Sequence, residues 1–540
     1  MPHREQRGIA ALAVIVVVSA YLALSSGCRG GRPATSGVEE PPTLRIQVVS
    51  TLAGALEPCG CVKDMLGGVD HAAALLAKAS ERVPALLFAA GPTLFQDPGV
   101  EPDARAQRLW KAEALAESFR DMQLRAWTPG VNDWALGPNE LGRLSQMTGA
   151  ALLASNLTGS TAGAKSSAVV EIAGVRVGVT GVSVPERAGR PPAGVVVGDP
   201  QAALGKARAE LEAQGARLLI ALLAIDRGSA LRLAESVPGF HLFIVGKPFD
   251  EGDGNDPPTP PVLIGSALVV QAPNHLQALA TVDVYVRTPG KIELSDASGI
   301  EQAEKHRRLE ERIRDLEQRI ASAEKAGAGR ADIESRRADL ERLRRELAET
   351  SHAPPPAPQG SYFRYTLNEV RERLGSEPHV LARLDRYYRR VNDHNRTALA
   401  DRKPPPVPEG RSGYIGVQAC SNCHVEEEKV WLATGHAGAY ATLDRQHKQF
   451  NLECVSCHVT GYGEPGGSTV THVASLESVQ CEVCHGAGSR HVDDPKNKSL
   501  ITRNPPVSLC AAECHHPPHV KSDWDVRAAW PKILGKGHGR

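Results

Sequence analysis

Four short clusters near the C-terminus have the residue types and spacing to hold a redox cofactor. They are Cys420-Ser-Asn-Cys423-His424, Cys454-Val-Ser-Cys457-His458, Cys481-Glu-Val-Cys484-His485 and Cys510-Ala-Ala-Glu-Cys514-His515. In a C-x-x-C-H cluster two thiols can add to the two vinyl groups of a haem, and the next histidine can take the iron as proximal ligand. Covalent attachment fixes the ring even where few aromatic side chains are available to bury it. Zinc is the competing chemistry, because paired C-x-x-C clusters also build tetrathiolate sites. Zinc, however, needs no histidine after every second cysteine. At this histidine frequency four such coincidences have a chance of roughly one in a million, so the clusters read as sites for four c-type haems. The fourth carries one extra residue between its cysteines and departs from the common spacing.

Residues 411–540 hold eight of the 11 cysteines and 11 of the 19 histidines. Once the proximal His424, His458, His485 and His515 are set aside, His436, His447, His472, His491, His516, His519 and His538 are left as possible distal ligands. This stretch has no methionine, so histidine–methionine coordination is excluded for all four sites. A second histidine lowers the potential relative to methionine and closes the iron to small ligands. An iron left five-coordinate would instead be the place for chemistry on a small nitrogen or oxygen species.

Three stretches resemble the tetrahaem cytochromes c typified by the electron carrier of hydroxylamine oxidation. The first is Tyr414-Ile-Gly with Cys420–His424 and then Trp431-Leu-Ala-Thr-Gly-His436-Ala. The second and third are Cys454-Val-Ser-Cys457-His458-Val-Thr-Gly and Val479-Gln-Cys481-Glu-Val-Cys484-His485-Gly-Ala-Gly-Ser-Arg-His491. The resemblance covers nearly all of 411–540. It implies that His436, His491 and His538 are distal ligands, and that the module transfers electrons along packed haems.

The remaining three cysteines lie elsewhere. Arg4 and Arg7 precede an apolar run from Ile9 to Leu24, which ends in Ser25-Ser26-Gly27-Cys28 and reads as an export signal. Cysteine after Ser-Gly resembles the bacterial lipobox, which makes Cys28 a lipidation candidate and 1–28 the leader. Leu24 stands one residue further from the cysteine than the common form places it, and an uncleaved anchor is the alternative. On either reading the chain is exported and tethered to a membrane, on the periplasmic or cell-surface side. Cys59-Gly-Cys61 reads either as a redox or metal-binding pair or as two structural thiols or a strained disulfide formed in an oxidising compartment, with His71 ten residues beyond Cys61.

Between a polar linker at 29–43 and the haem region, short apolar runs alternate with amphipathic stretches. Strands are expected at Leu44–Ser50, Pro84–Ala90, Ala150–Ser155, Val175–Val182, Ala216–Ala224, Leu242–Gly246 and Ala280–Val286, and helices at Ala104–Met122 and Gln201–Gln214. Such alternation argues for a layered α/β domain, here 44–298. Glu57-Pro-Cys59-Gly-Cys61, Leu66-Gly-Gly-Val69, Gly91, Asn132 and Val237-Pro-Gly-Phe-His-Leu-Phe-Ile-Val-Gly246 resemble exported 5′-nucleotidase-like metallophosphatases. That resemblance implies a sandwich of two sheets and, in a working enzyme, two metal ions that clamp phosphate and generate hydroxide. At the ligand positions, however, this chain has Thr51-Leu-Ala53, Gly91-Pro92, Asn132-Asp133-Trp134, Asp226 and Gly246-Lys-Pro-Phe249. Of these only Asn132 matches the family, with Asp133 and Asp226 as possible substitutes, so phosphatase chemistry is not expected.

Residues 301–350 carry 13 basic and 13 acidic side chains. Leu309, Ile313, Leu316, Ile320 and Ala323, then Ile333, Leu340, Leu343 and Leu347 after Gly327-Ala-Gly329, predict an antiparallel coiled-coil hairpin over 299–351, serving as a spacer or docking arm. Pro-rich linkers in 352–410 flank a strand at 362–367, which could return to the α/β sheet, and a helix over 379–400. The fold class is thus multidomain: a metallophosphatase-like α/β layered sandwich, a helical-hairpin insertion and a mostly α or irregular tetrahaem domain.

Lysine plus arginine equals aspartate plus glutamate at 62 each, which gives no basic excess for nucleic acid. Residues 411–540 are balanced as well, at 13 and 13, so haem propionates would make the assembled module acidic and favour a redox partner with a basic surface. The leading functional reading is a tethered electron carrier with a degenerate phosphatase-like domain. A haem-based reductase or oxidase and a nucleotide hydrolase are the competing readings.

Overall fold

The structure, a computed structural model, describes residues 40–58, 64–186, 189–250, 254–288, 290–326, 329–349, 355–516, 520 and 524–535. Cys28, Cys59, Cys61, His519 and His538 lie outside the described residues.

The strands in chain order begin with β1 (Leu44–Ser50), β2 (Ala85–Gly91), β3 (Leu124–Pro129), β4 (Ala151–Leu152) and β5 (Leu157–Gly159). Then come β6 (Ser167–Ile172), β7 (Val175–Ser183), β8 (Val195–Val197), β9 (Leu218–Ala224) and β10 (Leu242–Val245). The last are β11 (Val262–Ile264), β12 (Ala267–Val270), β13 (Ala278–Tyr285), β14 (Ser295–Asp296) and β15 (Tyr362–Glu369). Seven form one mixed sheet in the order β14-β15-β13-β1-β2-β3-β4, and six form a second in the order β11-β12-β10-β9-β7-β6. The helices of this region are α1 (Val69–Ser80), α2 (Arg105–Asp121), α3 (Pro138–Thr148), α4 (Pro200–Ala213), α5 (Arg227–Ser236), α6 (Ile300–Lys325), α7 (Arg330–Glu349) and α8 (Pro378–Ala398).

Alternation along the strands decides the layering. Leu86, Phe88 and Ala90 of β2 face Val177 and Val179 of β7 and Ile220 and Leu222 of β9, in a core between the sheets. Leu87 and Ala89 point the other way, onto Leu115 and Phe119 of α2 and Leu384 and Val391 of α8. The second sheet turns Leu219, Ala221 and Phe243 toward α4 and α5. Helix, sheet, sheet and helix therefore stack in four layers. Each large side chain buried here stabilises the fold by roughly 1.5–3 kcal/mol.

Two helix starts are written plainly in the sequence. Asp199 accepts from Ala202 N at 2.6 Å and Glu377 from Val380 N at 2.9 Å, each just before a proline that begins its helix. Strand β3 escapes a reading by apolar runs because Arg125 and Thr128 interrupt it, yet it lies inside the first sheet with Thr128 fully buried. The run at 150–155 pairs for only two residues, after which Ser155 N bonds Gly181 O of the other sheet at 2.7 Å.

Strand β15 lies antiparallel to β13 along its whole length, from Ala278 opposite Glu369 to Tyr285 opposite Tyr362. Helices α6 and α7 are thus inserted between two strands of one sheet, and they pack on each other through Leu309, Ile313, Ile320, Leu340 and Leu343. Among the described residues no helix is long and apolar enough to cross a membrane.

The rest of the chain has short helices: α9 (Val417–Ser421), α10 (Val425–Leu432), α11 (Ala439–Arg445), α12 (Cys481–His485), α13 (Ser489–Asp493), α14 (Ser508–Glu513) and α15 (Val526–Ala529). Its apolar cluster is small, built on Leu399 at the end of α8 with Val455, Val459 and Val470.

Candidate haem-attachment site

Each cysteine–histidine cluster sits on a tight turn or a single helical turn. Cys420 is on α9, and the amides of Cys423 and His424 both bond its carbonyl, at 3.1 and 3.0 Å. The second cluster forms a 3-10 turn, Val455–His458, and the third is α12 itself. In the fourth, His515 N reaches Cys510 O at 2.7 Å across one more residue, and Cys514 N bonds the same carbonyl at 3.3 Å. The widened turn therefore absorbs the extra residue and still brings the histidine amide to the carbonyl of the first cysteine. The sulfur atoms are thiols here and stand in for the thioether sulfurs of an attached haem.

Two proximal histidines have their ring orientation fixed. His458 Nδ1 lies 2.7 Å from Ala439 O, and His485 Nδ1 lies 2.7 Å from Thr502 O. A carbonyl accepts only, so Nδ1 carries the proton and Nε2 keeps its lone pair for a metal. His424 is the most open of the four, its side chain 57% exposed and its Nδ1 3.9 Å from Glu427. The His515 ring stacks on Trp524 at 4.6 Å.

Of the candidate distal ligands, His436 is brought to the proximal His515, with ring centroids 6.0 Å apart and planes tilted by 52°. Burial, with His515 adding to it, pushes the His436 imidazole below its ordinary pKa, which keeps it neutral and able to ligate. Among the described residues the buried His491 Nδ1 has no hydrogen-bond partner, a donor or acceptor that a cofactor would satisfy. His472 instead lies beside the hydroxyls of Thr469 and Thr471.

The third motif also holds the first in place. Glu482, 2% exposed, accepts from the amides of Ile415 (3.1 Å), Gly416 (2.8 Å) and Gly488 (2.7 Å). Gln480 Oε1 takes Val417 N at 2.6 Å, and Trp431 Nε1 donates to Val479 O at 2.8 Å. The Cys420 and Cys481 thiols lie within electrostatic range of each other, so the attachment points of the two motifs are neighbours. Sequence reasoning missed Glu482 and Gln480 as organising residues. The available signal was an acidic side chain inside an otherwise apolar x-x spacer.

In the sandwich, the side chains at the positions that the sequence resemblance compares with phosphatase ligands make other contacts. Asn132 donates through Nδ2 to Gln96 O and to Phe249 O (3.2 Å), while Thr51 Oγ1 donates to Lys247 O at 2.9 Å. Lys247 pairs with Asp256 at 2.8 Å, and buried Phe249 meets the His275 ring edge-on at 4.9 Å. Asp133 accepts from Thr93 N (3.0 Å), Leu94 N (2.6 Å) and Gly130 N (2.9 Å). Burial pushes its carboxyl up to about 7 against the pull of those amides. Asp226 caps α5 by accepting from Ser229 N at 2.9 Å. Among the described residues no three His, Cys, Asp or Glu side chains gather as a metal site. His71 Nδ1 bonds Gly375 O at 2.8 Å, and Glu57, two residues before Cys59, accepts from Tyr388 Oη at 2.8 Å and from Lys448.

Comparison with known proteins agrees with the cytochrome resemblance. Residues 419–486 match the family described as cytochrome c554 and c-prime. Cytochrome c-554 of Nitrosomonas europaea is 35% identical over 91 residues, which cover 14% of this chain and 39% of that protein. The chain thus spans about two fifths of the length of this relative. Among solved structures, a 5′-nucleotidase precursor from Thermus thermophilus aligns with a TM-score of 0.45 and 16% identity, over 74% of this chain and 68% of that one. Haemophilus influenzae NAD nucleotidase aligns with a TM-score of 0.39 and 17% identity, over 46% of this chain and 48% of that one. Across its first three cysteine–histidine motifs, the chain is similar to the multihaem c-type cytochromes of the cytochrome c554 family.

Proposed function

We propose that this protein is an exported, membrane-tethered electron carrier with four covalently attached haems and a phosphatase-like domain that no longer hydrolyses phosphate esters. The observation that carries the reading is the pair of bonds from His458 and His485 Nδ1 to backbone carbonyls, directly after two C-x-x-C sites. Residues of the chain would attach the haems through Cys420, Cys423, Cys454, Cys457, Cys481, Cys484, Cys510 and Cys514. They would ligate iron through His424, His458, His485 and His515, and a bound haem would supply one-electron chemistry. His436, His491 and His538 are the candidate sixth ligands, and the 6.0 Å separation favours His436 as the partner of His515. The sandwich is read as inactive because Thr51, Ala53, Pro92, Lys247 and Phe249 stand at positions where two dications would need carboxylates and imidazoles. Tethering is assigned to Cys28, and a basic redox partner to the acidic assembled module.

A pyridine haemochrome assay should return four haems per chain, and two or fewer would defeat the tetrahaem reading. Electron paramagnetic resonance of the oxidised protein should show low-spin iron only. A high-spin signal would favour a reductase or oxidase with an open iron. Phosphate-ester hydrolysis that depends on added divalent metal would remove the claim of inactivity.

A further inference from the structure

The sandwich meets the segment around the second motif through polar side chains that its own packing does not require. Gln107 of α2 donates to Asn451 Oδ1 at 3.0 Å, and its Oε1 accepts from Leu452 N (3.0 Å) and from Asn395 Nδ2 (2.9 Å) of α8. Asn395 also donates to Phe450 O at 2.8 Å. Gln107, Asn395 and Asn451 are each no more than 2% exposed. The Asn451 carbonyl then takes the amides of Cys454 and Val455, at 3.1 and 3.0 Å, which are the start of the attachment turn. A buried network of this kind fixes register, since a slip of one residue would strand every donor.

Charge accompanies the network. Glu453, the residue before Cys454, is bonded by Lys111 Nζ at 2.8 Å and by Arg108 Nη1, and Arg108 also reaches Asp97 at 3.4 Å. Tyr387 of α8 is buried within electrostatic range of Glu453 and Cys454, and among the described residues its hydroxyl makes no hydrogen bond. Tyr388 beside it also lies within electrostatic range of Cys454.

We propose that α2 and α8 of the sandwich form one wall of the second haem's site and set its midpoint potential through the Arg108, Lys111, Glu453 and Asp97 cluster. The inference rests on reading Cys454–His458 as a haem-attachment motif. Two cations and two anions balance, so the cluster as a whole favours neither oxidation state. Removal of one member leaves a unit charge in a region shielded from water, where charge interactions are stronger than in solvent. An added positive charge disfavours ferric iron and raises the potential, and an added negative charge lowers it. The sandwich would thereby serve as part of the redox site.

The test is a spectroelectrochemical titration of the full-length haem-loaded protein, with a pyridine haemochrome count for each variant. Glu453→Gln should move one haem's midpoint up and Arg108→Gln should move the same one down, with the other waves in place. Asp97→Asn, further from Cys454, should give a smaller upward shift and serves if either first variant fails to fold. No shift, or shifts of the same sign for Glu453→Gln and Arg108→Gln, would overturn the electrostatic wall. The Cys454→Ala, Cys457→Ala double variant should lose one haem together with the movable wave. An unchanged haem count there would instead defeat the attachment reading on which the inference rests.

Discussion

Phe88, Ile220, Leu222 and Ile244 are fully buried between the two sheets of the sandwich, whereas among the described residues the haem-binding region has a small buried apolar cluster, Val455, Val459 and Val470 with Leu399 from the end of α8. The sandwich is shaped by side chains that leave water together. The haem-binding region is shaped by polar groups that collect backbone amides, Glu482, Gln480 and Asn451 foremost. One region carries its own hydrophobic core, and the other is organised by polar side chains around its cysteine–histidine motifs. The comparison teaches that two parts of one chain can be equally well specified by different means.

The largest expected effect breaks the comparison open. Produced in a host that does not attach haem, the chain should keep amide protection in β1, β2, β7 and β9. Protection in α9–α14 should fall close to zero in the same hydrogen-exchange experiment. Strong protection of both regions would show that the haem-binding part does not depend on its cofactor.

Truncation inside the sandwich should come next. Phe243→Ala opens a cavity between the second sheet and its helices and should cost about 3–5 kcal/mol in urea unfolding. The haem absorbance should not change, because Phe243 lies in the core beneath α4 and α5, in the sandwich.

In the haem-binding region the matching experiment removes a polar organiser. Glu482→Ala leaves the amides of Ile415, Gly416 and Gly488 without their acceptor and should cost about 3 kcal/mol, read as an earlier loss of the visible haem signal on heating. An unchanged melting profile would mean that the attached haems alone order this region.

The smallest effect is a slope with pH. Asp133 is raised to about 7 by burial, so protonation is favoured in the folded state relative to the unfolded chain. Its contribution to stability is complete below about pH 4 and is lost as pH rises toward 7, at roughly 1.4 kcal/mol per unit. Asp133→Asn should flatten that slope in the sandwich's unfolding transition and leave the haem-binding region untouched.

How much was legible differs between the regions for a physical reason. The haem motifs depend on residue identity at spacings of three and four, so Cys420 through His515 can be read directly from the chain. The hairpin was equally open, since Leu309, Ile313, Ile320, Leu340 and Leu343 repeat at heptad spacing and do pack together. Strand β3 was not, because its burial comes from neighbours on both sides and not from an apolar run. Asp133 and Asp226 had the right chemistry for metal ligands, but in the fold they serve backbone amides.

By itself the sequence determined the cysteine–histidine spacing on which the proposed haem attachment rests, because covalent attachment and iron ligation need particular atoms a few residues apart. It also determined the alternating runs from which two sheets could be built. Only the tertiary structure decided that Gln107 meets Asn451 across 344 positions, or that β15 returns to β13 after the hairpin. Those pairings depend on where distant segments end up, and no local spacing encodes that. The same holds for His436 and His515, whose 6.0 Å approach exists only once α10, α11 and α14 are placed.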